Sequence, residues 1–422
     1  MHDELPPRPG AWTREALLRA QIHERDGLFD PDTGEVSRAP THRLVEDLVS
    51  PFSGKLRAYL DFRAIPYRRV RIDFGLYTQG MNRIVGFPIM PVILRDDGRV
   101  MQDTTPIIQH LESEYGDPHP LTVPPDPRLA FLMWTLEDFA DEYLPRLIMH
   151  TRWGTPEARE TLSLRIARRL SWSTPEADSA QLATMIMTRQ RGFDYHQAIT
   201  DSARPELDKQ IVELLTLLEA RLAEHRFLFG DRPSAADFAL FGPLWAHLWS
   251  DPASAPTMEA HGRRSCDWLD TMHEFGDTRG QVGTQDRLGP WLEFDALPES
   301  LLALLRFAAQ THLPNALATA RASLARDKRY SVEIRGHSCE FSTYHYRAWS
   351  FEQLQRRYAD LSEADRAALD PALRDTGYMP DMMAQGVRHN GLYDGLTPPF
   401  VVDGVGDARI ARRRAKQGGD TR

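Results

Sequence analysis

The chain has 422 residues and a mass of 48.1 kDa, more than one hydrophobic core usually holds, so two or three domains are expected. Hydrophobic residues make up 41% of it and charged residues 26%, and its mean hydropathy is -0.46, which excludes a disordered or membrane-embedded chain. The net charge of -9 argues against a dedicated nucleic-acid surface.

The start of the chain, MHDELPPRPG, lacks the apolar segment of a secretory signal, and no apolar run reaches the ~18 residues of a membrane span. The two cysteines, Cys266 and Cys339, lie far apart and outside metal-binding spacings, so neither a disulfide framework nor a metal site is expected. We therefore predict a cytoplasmic protein that contacts neither membrane nor nucleic acid.

The first segment, residues 1–40, is rich in Pro, Asp and Gly and contains one helix pattern, WTREALLRAQIHERDG, so we interpret it as an extension. A strand pattern from Arg43 to Leu48 then ends at Ser50 and Pro51, where a helix pattern begins. The next strand pattern, YRRVRIDF, follows so soon that the two strands of this β-α-β unit are expected to be parallel.

From Phe87 onwards the sequence predicts a hairpin followed by a helix. PVIL and RVM are strand patterns on either side of a tight turn at Asp96, Asp97 and Gly98. TTPIIQHLE then opens a helix with Pro106 in its first turn. The elements therefore occur in the order β-α-β and then β-β-α.

Beyond Pro124 the patterns are helical. One long helix is predicted from Arg128 to about Ile148, and further helices are predicted near residues 156–172, 177–199 and 205–225. In the segment GDRPSAADF that follows, Ser and Asp have the spacing of a capping box, which starts another helix.

The last part of the chain contains no motif that carries chemistry. It has a long helix pattern that includes Pro314, a hairpin pattern around Gly336, and helix patterns near residues 348–375. A basic tail, residues 406–422, ends it.

From about Arg43 to Trp249 the chain resembles a glutathione transferase. The resemblance rests on SPFSGKLR at the strand-to-helix corner, on MPVI and QDTTPIIQHL, and above all on GDRPSAADF, which is very like the folding signature of that family's helical domain. In that signature Ser234 and Asp237 are structural.

The resemblance implies an α/β thioredoxin-like domain followed by an all-α helical-bundle domain, with an additional, mainly α C-terminal extension. The predicted domains are residues 1–40 (N-terminal extension), 41–120 (thioredoxin-like, glutathione-binding), 125–252 (all-helical), 253–405 (mainly helical extension) and 406–422 (basic flexible tail).

The resemblance makes glutathione the co-substrate, and its thiol must be ionised to react. A thiol with a pKa near ~8.5 is only a few per cent thiolate at pH 7, and lowering that pKa by about two units requires roughly 2.7 kcal/mol. One charge-assisted hydrogen bond contributes about 1.5 to 3 kcal/mol, and a helix N-terminus about 0.3 to 1. A residue that caps the helix at the corner could supply both.

Ser50 matches the Ser of the serine-type members and is the predicted catalytic residue, with Ser53 as the second candidate. A Ser cannot form a mixed disulfide, so conjugation or isomerisation is favoured over deglutathionylation. Ser50 followed by Pro51 is also what an ordinary helix start prefers, so a purely structural cap is the alternative.

The glutathione-binding residues follow from the same motifs. Pro91 matches a proline that is cis in the family, which allows the backbone of Met90 to pair with the cysteinyl part of glutathione. An ordinary proline at the start of a strand is the alternative. Asp103 and Thr104 match the residues that hold the γ-glutamyl amino and carboxylate groups, and both could also cap the next helix. Phe52, inside the corner motif, belongs to the same predicted set.

The lysine that many members carry before the proline is absent from GFPIMP. Lys55 and Arg83 are candidate replacements for holding the glycyl carboxylate, and a solvated surface charge is the alternative for each.

The second substrate is expected between the two domains, against the long helix. Candidate lining residues, with core packing as the alternative, are Tyr143, His150, Arg152 and Trp153. Four acidic residues of the same helix could suggest acid/base or metal chemistry, but a solvated acidic face is the preferred interpretation: Glu137, Asp138, Asp141 and Glu142.

The leading hypothesis is a glutathione transferase-like enzyme of detoxification, which activates the glutathione thiol for conjugation to, or isomerisation of, a small electrophilic apolar substrate. The alternative is a non-catalytic module of the same fold that uses its C-terminal extension to bind or regulate a partner. Family members often dimerise, so the resemblance also implies a homodimer unless the extension covers that face.

Overall fold

The computed structural model describes residues 27–30, 33–116, 121–173, 179–275, 288–384 and 398–400. The predicted N-terminal helix, apart from its last residue, and the basic tail lie outside the described residues. None of the helices in the described part is both long and apolar enough to cross a membrane.

The strand-to-helix corner begins a four-stranded sheet. Strand β1 (His42–Glu46) is fully buried and leads into helix α1 (Pro51–Phe62), which is followed by strand β2 (Tyr67–Arg71). β1 and β2 are parallel, with Val45 opposite Val70, which confirms the predicted β-α-β unit.

The predicted hairpin completes the sheet. β3 (Val92–Leu94) and β4 (Val100–Gln102) are antiparallel, and β3 also pairs with β1, which makes the strand order β2-β1-β3-β4. Helix α3 (Thr104–Glu114) follows β4 directly. Before the hairpin, a segment with no predicted element forms a π-helical turn (Leu76–Gly80) and a short helix, α2 (Met81–Ile84).

The sheet has a core on each face because side chains alternate along its strands. Leu44 and Ile93 belong to the large core, which continues into the helical part of the molecule. Val45 and Val92 point to the other face and belong to a smaller core that includes Met81 of α2.

The helical part follows the predicted order. Its elements are α4 (Pro127–Glu142), α5 (Leu144–Arg152), α6 (Pro156–Leu170), α7 (Ser179–His196), α8 (Arg204–Glu224), α9 (Ala235–Pro243, continued by a π-helical segment to Trp249), α10 (Ala255–His261) and α11 (Arg263–Glu274). The prediction of one helix from Arg128 to Ile148 is wrong, because two helices meet at Tyr143. Pro145 lies in the first turn of the second, where its missing N–H costs nothing, and it could not have continued the first.

The capping box is confirmed at the start of α9. Ser234 Oγ accepts a hydrogen bond from the backbone N–H of Asp237, and the Asp237 carboxylate accepts one from the backbone N–H of Ser234 at 2.9 Å. Both residues are fully buried. The pair satisfies N–H groups that would otherwise be unpaired in the core.

Helix α9 packs directly on the corner. A Cβ atom at Gly242 would lie 2.2 Å from the carbonyl oxygen of Pro51, so only glycine allows this approach. On the other side, a Cβ at Gly54 would lie 3.4 Å from Gly242 Cα. The helical part is therefore held backbone to backbone against the first turns of α1.

The C-terminal extension is mainly helical, as predicted. Its elements are α12 (Glu299–Ala325), β5 (Arg329–Ile334), β6 (His337–Ser342), α13 (His345–Asp360), α14 (Glu363–Thr376) and α15 (Pro380–Ala384). β5 and β6 form the predicted hairpin, with Ile334 opposite His337.

The extension packs on α4. The ring centroids of Phe139 and Phe307 are 5.8 Å apart, and those of Phe131 and Tyr358 are 5.7 Å apart. All four side chains belong to the large core. The extension and the helical part therefore share one hydrophobic core.

Candidate functional site

Ser50 begins helix α1. Its backbone is extended (φ -90°, ψ 123°), and its Oγ accepts a hydrogen bond from the backbone N–H of Ser53 at 3.3 Å. Ser50 is therefore a helix cap, as its local sequence suggested. A hydroxyl that accepts one bond keeps its own proton, and no hydrogen bond among the described residues uses the proton of Ser50.

Ser53 points away from the site. It is fully buried, and its Oγ accepts a long hydrogen bond from the backbone N–H of Asp47 at 3.5 Å. It lines neither of the two cavities beside the corner. Its hydroxyl therefore lies outside both cavities, and its role as a second catalytic candidate stays a prediction without support from their lining.

The first cavity lies between the sheet, the end of α4 and the C-terminal extension. Its volume is about 360 Å³. Five of the predicted glutathione-binding residues line it: Phe52, Met90, Pro91, Asp103 and Thr104. The Met90–Pro91 peptide bond is cis, as the resemblance implied.

The other walls of the first cavity are acidic and aromatic. Asp141 and Glu142 come from the end of α4, and Tyr346 and Trp349 come from α13 of the extension. The sequence analysis missed both aromatic residues, because nothing in the extension resembles the family and no local pattern indicates where α13 packs.

Asp103 has an unusual conformation at the start of α3. Its φ is +84°, in a region that costs a non-glycine residue about 1 to 3 kcal/mol. Its carboxylate makes no capping bond to the helix, and the nearby hydroxyl of Tyr346 favours its charged form. Burial raises the pKa of Asp103 to about 7. The carboxylate thus faces the cavity and not its own helix.

The second cavity, of about 610 Å³, lies on the other side of Phe52 and Met90, which line both cavities. Ser50 lines the second cavity, together with Arg152 and Trp153 from the end of α5, as predicted. The corner of the chain therefore lies where the two cavities adjoin.

The other two predicted lining residues are part of the interior. Tyr143 is buried and its hydroxyl donates to Gln210 at 3.0 Å, while His150 contacts Asp208 at 2.7 Å. Neither lines a cavity beside the corner. Both side chains are therefore packed in the core, which was the alternative interpretation for each.

Two buried donors hold the peptide that leads into Ser50. The carbonyl oxygen of Val49 accepts from Arg152 Nη1 at 2.9 Å and lies 3.1 Å from His247 Nε2. Burial and the charge of Arg152 hold the pKa of His247 well below its usual range, so its ring is neutral. The sequence analysis missed His247, which reaches the corner only because α9 packs there.

Lys55 is not the solvated surface charge that was one alternative. It is fully buried, and its ammonium group donates to Thr105 Oγ1 at 3.1 Å, Glu137 Oε1 at 2.7 Å and Asp141 Oδ2 at 2.6 Å. Burial alone would lower the pKa of Lys55, but the two carboxylates outweigh it and raise that pKa.

All three N–H groups of Lys55 are used in these bonds. Lys55 lines neither cavity, and its donors are already used, so the structure does not support its predicted contact with a glycyl carboxylate. The other candidate, Arg83, is exposed on α2 and also lines neither cavity.

The interpretation of the α4 acidic residues as a solvated face is wrong. Asp138 is buried, with His312 at 2.7 Å and the hydroxyl of Ser350 at 2.5 Å. Glu142 faces Arg347 at 3.3 Å, and burial still raises the pKa of Glu142 to about 8. The extension supplies these partners and covers the face.

Among the described residues, no group of three or more His, Cys, Asp or Glu could hold a metal ion.

Two family models match the chain. The model described as glutathione S-transferase, N-terminal domain matches residues 44–119, and the model described as glutathione S-transferase, C-terminal domain matches residues 201–271. The first match contains the corner and the lining residues from the sheet, and the second contains the capping box. No curated protein is similar enough to this chain to count as a relative.

Several solved structures are similar at low identity. The β-etherase LigF from Sphingobium sp. strain SYK-6 is 17% identical, with 58% of this chain and 100% of that chain covered and a TM-score of 0.43. A glutathione S-transferase from Rhodospirillum rubrum F11 is 17% identical, with 59% and 96% covered and a TM-score of 0.38. One from Methylobacterium radiotolerans, in complex with glutathione sulfonate, is 18% identical, with 61% and 97% covered and a TM-score of 0.31.

Proposed function

The chain belongs to the glutathione S-transferase superfamily, and on that premise we propose that it is an enzyme that uses glutathione to conjugate or isomerise a small electrophile. The observation that carries the proposal is the convergence of the predicted residues on two adjoining cavities. Met90, Pro91, Asp103 and Thr104 line the first cavity, and Ser50 lines the second.

In this proposal the γ-glutamyl end of glutathione occupies the first cavity. The carboxylate of Asp103 would bind the α-ammonium group, and the N-terminus of α3 at Thr104 would bind the α-carboxylate, because helix N-termini attract anions. The cysteinyl part would then run along the backbone of Met90. Its thiol would point past Phe52 into the second cavity, towards Ser50.

Ser50 can cap its helix and activate a thiol at the same time. Its oxygen uses a lone pair for the N–H of Ser53, which leaves its proton to donate to a thiolate. Such a bond contributes about 1.5 to 3 kcal/mol and the N-terminus of α1 about 0.3 to 1, which is enough to lower the thiol pKa by about two units. The thiolate would attack the electrophilic carbon, and the thiol proton would pass to solvent.

The test is Ser50→Ala, with Ser50→Thr as the matched control that retains a hydroxyl. We expect Ser50→Ala to bind glutathione but to lower kcat roughly tenfold to hundredfold, because one charge-assisted hydrogen bond is lost. Ultraviolet difference spectra should show the pKa of the bound thiol returning towards ~8.5 in Ser50→Ala only. Full activity in Ser50→Ala, with unchanged binding, would show that Ser50 is only a cap.

A non-catalytic module is the second candidate, and one observation favours it. Tyr346 of the extension lines the first cavity beside Asp103, the residue proposed to bind the ammonium group. In this candidate the extension binds or regulates a partner, and the absence of a thermal shift at millimolar glutathione would favour it. The homodimer implied by the resemblance and the cytoplasmic location predicted from the sequence both stay predictions.

A further inference from the structure

Apart from its tyrosines, the ionisable side chains of the second cavity are all basic. Among the described residues that line it, Arg152, Arg189, His196 and His247 carry basic side chains, and no Asp or Glu lines it. Its remaining walls are mainly apolar. A neutral, apolar substrate would leave this charge arrangement unused.

Arg152 is the buried member of this set. Its side chain is 4% exposed, its Nη1 donates to the carbonyl of Val49 at 2.9 Å, and its Nε lies 3.0 Å from Asp251 Oδ2. Its Nε and its second terminal nitrogen, Nη2, are both buried without a well-formed hydrogen bond among the described residues. Such unpaired guanidinium N–H groups are costly, and an anion held near them in the cavity would lower that cost.

The charge of Arg152 is only partly balanced. Asp251 also contacts Arg165 at 3.0 Å, so one buried carboxylate serves two guanidinium groups. Burial lowers the pKa of Arg152 to about 10, which still leaves it charged at neutral pH. The neighbouring ring of His247 is neutral because its pKa is lowered, so it neither adds to nor cancels this charge.

We propose that the second substrate is an apolar electrophile that carries a carboxylate, and that Arg152 binds this carboxylate. The inference rests on the proposed function for the reaction, but the anion site can be tested without any reaction. Arg152 holds the peptide carbonyl just before Ser50, so an acid bound there has its apolar body in the cavity that Ser50 lines. Arg189, which is exposed, would steer the acid inwards.

The binding test compares two probes of the same shape, 2-naphthoate and its neutral amide, 2-naphthamide, by calorimetric titration. We expect the wild-type protein to prefer the acid roughly tenfold to hundredfold, because one charge-assisted contact distinguishes the probes. Arg152→Gln should remove the preference. Arg168→Gln makes the same charge change on α6 at an exposed position that lines neither cavity, and it should keep the preference. A wild-type protein that binds both probes equally would overturn the proposal without any variant.

If Arg152→Gln does not fold, Arg152→Lys is measured in its place. Because it retains the positive charge, it should retain part of the preference for 2-naphthoate over 2-naphthamide. A folded Arg152→Gln that still prefers the acid would overturn the proposal. So would a rise in the glutathione Kd of that variant with the acid preference unchanged, since Arg152 would then hold a carboxylate of the co-substrate.

Turnover separates this inference from the proposed function. The reactive pair is 4-chloro-3-nitrobenzoate and its methyl ester. Glutathione sulfur forms the new C–S bond to the ring, chloride leaves with its bonding electrons, and the thiol proton goes to solvent. Because the ester is intrinsically the more reactive compound, the readout is the ratio of kcat/KM for the acid to that for the ester. We expect this ratio to be higher in the wild-type protein than in Arg152→Gln. Preferred binding of 2-naphthoate with no turnover of either compound would support the anion site and count against the proposed function.

Discussion

The two cavities beside the corner differ in charge. The first is lined by Asp103, Asp141 and Glu142, and the second by arginine and histidine side chains. They adjoin at Phe52 and Met90. An acidic cavity next to a basic one can orient two ligands, since an ammonium group is favoured in one and an anion in the other.

The cavities also differ in the parts of the chain that build them. The C-terminal extension supplies Tyr346 and Trp349 to the first cavity. The second is built mainly from the corner, α5, α6 and α7, and Tyr344 is its member from the extension. The extension therefore shapes the side proposed for the co-substrate more than the side proposed for the electrophile. Substitutions that alter one cavity and leave ligand binding in the other unchanged test whether the two cavities act separately.

The largest effect is expected from Lys55→Met, which removes the cation behind the first cavity. Glu137 and Asp141 would then be buried next to each other without a cation, sharing only the hydroxyl of Thr105, so the free energy of unfolding should fall by about 3 to 5 kcal/mol. Urea unfolding measures it, with Arg83→Met as the exposed control. A loss below about 1 kcal/mol would mean that the two carboxylates are protonated or solvated without Lys55.

The next largest effect is expected from Asp103→Asn, which keeps the shape of the side chain but removes its charge. The Kd for S-methylglutathione should rise roughly tenfold to hundredfold, because an ammonium–carboxylate contact is replaced by a neutral one. Binding of 2-naphthoate serves as the control for the second cavity and should not change. Equal losses for both ligands would show that the two cavities do not act separately.

The smallest effect is a pH dependence with two opposite signs. Burial raises the pKa of Asp103 from its ordinary value of 3.8 to about 7, so between these values the folded protein retains a proton that the unfolded chain has lost. Stability without ligand should therefore fall as pH rises towards 7, and Glu142, with its pKa raised to about 8, extends that fall. Affinity for S-methylglutathione should instead rise through pH 7 as the carboxylate of Asp103 forms.

Tyr346→Phe sharpens this pH test. The hydroxyl of Tyr346 lies near Asp103 and favours its charged form, so its removal should move the midpoint of the binding curve to higher pH. Tyr344→Phe, at a residue that lines the second cavity, should leave the midpoint unchanged. Calorimetric titration between pH 5.5 and 8 measures both, and a midpoint that does not move would show that Tyr346 only packs against the site.

Much of the fold was predictable because its signals are local. Ser50 followed by Pro51 indicated the start of α1, and Ser234 with Asp237 indicated the start of α9, since a cap and its N–H partner lie within one turn. The sequence pattern does not predict that one helix ends and another begins at Tyr143, even though Pro145 follows it. The reason is that the apolar spacing continues from the first helix into the second. Apolar spacing indicates the face of a helix but not where the helix restarts.

The sequence by itself determined the resemblance to a family, the β-α-β and β-β-α order, and the choice of corner residues that the structure places beside cavities. Only the tertiary structure decided which charges are solvated. Lys55, Glu137 and Asp138 have ordinary sequence surroundings, and they are buried because α1, α4 and the extension pack together there. The same packing brings Tyr346 to Asp103. The protonation and the partners of a charged group depend on what covers it, and residues distant in the sequence supply that cover.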